Sequence, residues 1–130
     1  MALKAMIIDA SAVARGLLNT VLSEGGYDVV ASTHTMAQGM ALAAKYQPQL
    51  ICIAREQIED GSGAVQELRA KLPKSLIFMV SGAIDAATIE SSLALGINGF
   101  VVKPFKADAV LKTIRAAVLA LIKRQASPPQ

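Results

Sequence analysis

Short, continuously apolar runs alternate along the chain with longer runs in which apolar residues recur every three or four positions. Ala5–Ile8 is the first apolar run and ends in Asp9. Ser11 can cap a helix whose inner face is Ala14, Leu17, Leu18, Val21 and Leu22, the spacing of an amphipathic helix. Gly25 and Gly26 end it, since glycine reaches the left-handed conformation common at helix ends. Tyr27–Ser32 is the second strand. Thr35 can cap a helix to about Tyr46, with Met36, Met40, Leu42 and Ala43 apolar, and Pro48 blocks its continuation. Leu50–Ile53 is a wholly apolar third strand, and the polar, glycine-bearing Arg55–Gly63 is predicted to be a loop. A short helix over Ala64–Leu72 turns Val65, Leu68 and Leu72 inward and stops at Pro73. Leu76–Val80 is the fourth strand, Ser81–Ile84 a loop, and Asp85 the cap of a helix to about Leu95, closed by Gly96. Gly99–Val102 is the fifth strand. Lys103-Pro104-Phe105 leads tightly into a last helix from about Ala107 to Arg124. Residues 1–124 thus form one domain, and 125–130, with two prolines and a serine, read as a flexible tail or the start of a linker.

Five strand–helix units follow one another. Strands apolar on both faces are covered on both faces, which implies a parallel sheet between helix layers. The predicted fold class is α/β, a doubly wound five-stranded parallel sheet with order 2-1-3-4-5. Ligands and chemistry in such sheets sit at the carboxyl ends of the strands. That directs attention to Asp9–Ser11, Ala54–Gly63, Ser81–Ala83 and Lys103–Phe105.

Composition narrows the function. The 130 residues are 53% hydrophobic and 18% charged, which excludes intrinsic disorder. Two Tyr, three Phe and no Trp leave little for base stacking. The net charge is +3, and its excess lies late: Lys103, Lys106, Lys112, Arg115, Lys123 and Arg124 face one acid, Asp108. That helix carries no dense basic run and no helix-turn-helix unit, so direct nucleic-acid binding is not expected. The lone Cys52 suits a reducing cytoplasm and an inert core position. No apolar run is long enough to span a membrane, and the start at Met-Ala-Leu-Lys is not that of a secretory signal. His34 has no ligand-type neighbour at metal spacing and reads as a surface loop residue. Gly61-Ser62-Gly63 lacks the Gly-Lys-Ser/Thr ending of a phosphate loop. No nucleophile–base pair or dinucleotide fingerprint is present, so the chain is not expected to be an enzyme.

Four segments carry a family resemblance: Ala-Met-Ile-Ile-Asp-Ala-Ser (5–11), Pro-Gln-Leu-Ile-Cys-Ile-Ala (48–54), Ile-Phe-Met-Val-Ser-Gly (77–82) and Gly-Phe-Val-Val-Lys-Pro-Phe (99–105). In order and spacing the chain resembles the receiver domain of bacterial response regulators, a flavodoxin-like, CheY-like (βα)5 fold, from Leu3 to about Lys123. The resemblance implies a pocket in which an aspartate at the end of strand three takes a phosphoryl group from a histidine kinase. Two acids after strand one would hold Mg²⁺, a Ser or Thr after strand four would bond the phosphoryl group, and a lysine after strand five would pair with it. The proline after that lysine is commonly cis.

Only part of that set is present. Asp9, Ser81, Lys103 and Pro104 match, Ser81 either as a remnant of function or as a turn cap. Ala10 stands where the second acid is expected and Ala54 where the acceptor aspartate is expected. A methyl group can neither attack phosphorus nor hold a metal, so no Mg²⁺ and no other cofactor is expected. Asp9 and Lys103 are then predicted to pair with each other. The implied function is a pseudo-receiver without the usual phosphoryl group, acting through protein contact in two-component or chemotaxis-type signalling. Two alternatives stay open: a phosphorelay receiver using an acid of Glu56–Asp60, Glu59 included, and a small-ligand sensor using the vacated pocket.

Phe100 falls where the family often has an aromatic that swings inward on activation; it equally suits a half-buried edge-strand residue. In the last helix Val110, Leu111, Ile114, Ala117, Val118 and Leu121 face inward. Leu119 and Ile122 fall beside the charged stripe of Asp108, Lys112 and Arg115. Exposed aliphatics among basic residues fit a protein contact. The expected partners are a histidine kinase, another regulator or an output domain. A homodimer through the fourth helix, fifth strand and last helix is also possible on the resemblance.

Overall fold

The computed structural model describes residues 2–60 and 63–126. In chain order the elements are β1 (Lys4–Ile8), α1 (Ala12–Glu24), β2 (Asp28–Thr33), α2 (Met36–Tyr46), β3 (Leu50–Ala54), α3 (Arg55–Asp60), α4 (Ala64–Lys71), β4 (Leu76–Ser81), α5 (Ala86–Leu95), β5 (Gly99–Val102) and α6 (Ala107–Ala126). All strand pairings are parallel, in the order β2-β1-β3-β4-β5.

Alternation along the strands feeds two cores. Met6, Ile8, Ile51, Ile53, Ile77 and Met79 turn to one face and pack with Met36, Ala43, Val65 and Leu68. Ala5, Ile7, Cys52, Phe78, Val80 and Val101 turn to the other and pack with Leu18 and Leu22 of α1 and Val110 and Ile114 of α6. β3 and β4 are buried along their whole lengths, so their runs show no polar alternation.

The expected caps form. Ser11 Oγ accepts from Ala14 N, Thr35 Oγ1 from Gln38 N, and Asp85 Oδ1 from Thr88 N at 2.8 Å. Gly96 closes α5 at φ +100. Gly39 serves close approach: a Cβ there would lie 2.4 Å from Ile8 Cδ1.

Four expectations need correction. Arg55–Asp60 is helical (α3), not a loop: Ile58 is buried against the first core and draws the segment into a turn. Gly61 and Ser62 lie outside the described residues. Leu17 is 54% exposed, because Ala14, Leu18 and Leu22 form the inward stripe at i, i+4, i+8, about 100° round the helix from it. The last helix continues to Ala126, two residues into the expected tail. Leu72 caps α4 rather than belonging to it, although it is buried as expected.

Candidate functional site

The carboxyl ends of β1, β3, β4 and β5 bring Asp9, Ala54, Ser81 and Lys103 to one end of the sheet. Asp9 follows β1, held by its N–H on Thr33 O at 3.0 Å. Its carboxylate is 8% exposed and both oxygens are engaged. Oδ1 accepts from Ser11 N at 2.9 Å, and Oδ2 accepts from Lys103 Nζ at 3.2 Å. Lys103 is aimed there by its N–H on Ser81 O at 2.9 Å and is joined to Pro104 by a cis peptide bond.

Where the second acid and the acceptor were expected stand Ala10, which is exposed, and Ala54, buried at the end of β3. Two arginines border these alanines. Arg15 donates to the carbonyls of Asp9 (2.7 Å) and Ala10 (3.3 Å). Arg55 donates to Ala83 O at 2.7 Å and pairs with Glu59 at 3.5 Å. Ser81 Oγ donates to the same Ala83 carbonyl at 3.0 Å and accepts from Ala83 N at 3.2 Å, closing a small ring. Asp85, in the loop that follows, has its carboxyl pushed down by the hydrogen bonds from Thr88 and, less strongly, by the Arg55 charge.

The other candidates separate from this cluster. Glu56 is exposed on α3 and Glu59 is tied to Arg55; the Asp60 side chain lies outside the described set. His34 is exposed, and its carbonyl accepts from Gln57 Nε2 at 3.0 Å. Cys52 is buried, which pushes its thiol up to about 12. Among the described residues no three His, Cys, Asp or Glu side chains converge as a metal would need.

The matching pattern extends over most of the chain. Residues 5–115 match the family model of the response regulator receiver domain. The chain belongs to that family. This receiver is 30% identical over 115 residues to the chemotaxis protein CheY of Bacillus subtilis (strain 168), covering 88% of the chain and 96% of that protein. It is 27% identical over 123 residues to a probable chemotaxis protein CheY of Rhizobium etli, covering 92% and 95%. In fold it matches a response regulator from Thermotoga maritima, with TM-score 0.82, 17% identity and coverage of 92% and 99%. It also matches the chemotaxis response regulator CheY4 of Vibrio cholerae, with TM-score 0.79, 21% identity and coverage of 90% and 99%. No helix among the described residues of the receiver is long and apolar enough to cross a membrane.

Beside the pocket, a groove of about 320 Å³ runs between Phe100, Val102, Lys103 and Pro104 on one side and Lys106 and Ala109 on the other. Phe100 is half-buried. On α6 Lys112 and Arg115 are exposed, and so are Leu119 (59%) and Ile122 (53%). Sequence reasoning placed α5 but not its faces: the helix buries Thr88 and Ser92 and exposes Ile89 and Leu93. Both pairs are spaced i, i+4, so periodicity alone does not say which faces in. It also missed Arg15 and Arg55; Arg55 had a sequence signal in its place next to Ala54 and four residues before Glu59, and Arg15 had none.

Proposed function

We propose that this receiver signals through protein contact in a two-component or chemotaxis-type pathway without forming an aspartyl phosphate. The observation that carries the reading is Ala54, a buried methyl group at the carboxyl end of β3, the position expected to hold the phosphoryl acceptor. The rest of the pocket supports it. Mg²⁺ takes near-octahedral oxygen ligands through one or two carboxylates plus waters and phosphate. Among the described residues, the carboxylate at this pocket is Asp9, which already accepts on both oxygens, and Ala10 and Ala54 offer no side-chain donor, so these residues do not fit the ion.

The contact surface of this reading is formed by α5, β5 and α6. Ile89, Leu93, Val102, Leu119 and Ile122 are exposed aliphatics there, with Lys112 and Arg115 between them. A histidine kinase, another regulator, an output domain or a second copy in the cytoplasm would dock on it. The deciding test is incubation with acetyl phosphate and Mg²⁺, followed by intact-mass measurement. No adduct is expected. An adduct of one phosphoryl mass that survives Ser81→Ala would transfer the function to an acid such as Glu56 or Glu59.

A further inference from the structure

The opposite end of the sheet carries a second feature that does not depend on the pocket at the strand carboxyl ends. Two grooves meet at the amino ends of β1, β3 and β4, under the last turns of α6. One, of about 280 Å³, is apolar and lined chiefly by Leu3, Leu50, Leu76, Val118 and Ile122. The other, of about 320 Å³, is polar and bordered by Arg69, Lys74, Ser75, Asn98 and Arg124. Lys74, Leu76 and Leu121 belong to both, so the two are continuous.

Their charge is one-sided. Among the described residues, no acidic one lines either groove. Lys74 and Arg124 take part in none of the ion pairs among the described residues. The Arg69 guanidinium is held by the carbonyls of Ser75 and Gly96 and by Asn98 Oδ1, neutral groups that leave its charge uncompensated. A second copy of the chain would bring the same cations to this surface, whereas an acidic segment would neutralise them. Drug-sized ligands fill roughly 300–1,000 Å³. The apolar compartment lies just below that range and suits one or two aliphatic side chains ringed by polar groups, the anatomy of an interface anchor.

We infer that this basic-rimmed groove docks a segment of a partner protein that carries a leucine or isoleucine beside carboxylates. The aliphatic side chain enters between Leu3, Val118 and Ile122, and the acids lie against Lys74 and Arg124. The site lies at the far end of the sheet from Ala54, so it would be available whatever the state of the pocket there.

The test is backbone-amide and methyl NMR of the whole chain, titrated with a short blocked peptide of alternating leucine and glutamate. A leucine–lysine peptide of equal length is the control. Saturable shifts at Leu3, Gln49, Lys74, Val118 and Ile122 are expected, weakening as salt is raised. They should be lost in Lys74→Glu and in Ile122→Glu, both exposed positions whose spectra otherwise report the native fold. Equal response to the lysine peptide, shifts mapping elsewhere or no shifts at all would overturn the inference. So would the same shifts on concentrating the protein alone, which would assign the groove to a second copy. Equal shifts with decanoate would assign it to a free acyl anion instead.

Discussion

Lys103 Nζ lies 3.2 Å from Asp9 Oδ2 and ties the carboxyl end of β5 to that of β1, although two other strands lie between them. The burial is unequal: the carboxylate is nearly enclosed and the lysine side chain is about one-third exposed. Removing the lysine therefore strands a buried charge, while removing the acid frees a cation that can turn to water. Lys103→Met is expected to destabilise by about 2–4 kcal/mol and Asp9→Asn by about half as much. Urea unfolding of the two variants and of the double variant measures both values and their coupling. Equal losses, or no coupling, would contradict the arrangement.

Arg69 is the second fastening point. It donates to the carbonyls of Ser75 and Gly96 and to Asn98 Oδ1, which itself accepts from Ile77 N at 2.8 Å. The guanidinium thereby joins α4 to the start of β4 and to the α5–β5 turn. Arg69→Ala should cost about 2–3 kcal/mol. Arg69→Lys should restore little of it, because an ammonium cannot span the same planar set of acceptors. Thermal melts of both variants check this.

Gly39 and Ile8 form a complementary pair. Gly39→Ala places a methyl group against a buried isoleucine and should lose about 1–3 kcal/mol, the usual range for overpacking. Ile8→Val removes the nearer clashing atom, Cδ1, and leaves Cγ1 at 2.9 Å, so relief is partial. The double variant should be more stable than the sum of the two single losses predicts, and denaturant midpoints give the answer.

The Cys52 thiol should resist modification. Burial holds it protonated up to about 12, against an ordinary value of 9.0. Its labelling by iodoacetamide at pH 8 should follow the rate at which the domain opens, rising with urea. The linkage has a definite sign. Above 9.0 the unfolded chain loses the thiol proton while the folded chain keeps it, so this residue's contribution to stability falls as pH climbs from 9.0 towards 12. A Cys52→Ala variant should show a shallower alkaline decline.

If α5, β5 and α6 carry self-association, Leu93→Lys and Leu119→Lys should each lower the weight-average mass seen by light scattering at high concentration, while Val13→Lys on α1 should not. Unchanged mass in both variants would point away from this surface.

Much of the fold was legible because the strands are so apolar and the turns so well marked. Pro48, Pro73 and Gly96 punctuate the chain where the elements change, and the caps at Ser11, Thr35 and Asp85 fall where hydroxyl and carboxylate side chains invite them. The Asp9–Lys103 pairing was also readable, because parallel strands place their carboxyl ends together. Other features were hidden for physical reasons. The burial of Ile58 makes a helix of a polar segment. In α5 the side facing the sheet is filled by Thr88 and Ser92, whose small side chains allow close packing beside Met79, so hydrophobicity points the wrong way. The bonds of Arg15, and that of Arg55 to Ala83, run to backbone carbonyls, which leave no trace in residue type.

The Ala83 carbonyl has consequences for motion. An oxygen of this kind has two lone pairs, and here Ser81 Oγ and Arg55 approach it together, while the N–H of the same residue is bonded to the Ser81 hydroxyl. Every polar group of one loop residue is thus committed to two neighbours. A displacement of this loop disturbs three bonds that share one residue, so they are expected to loosen together. The entrance to α5 should therefore move in a single step with a threshold, staying rigid under weak perturbation and shifting as a unit under a strong one.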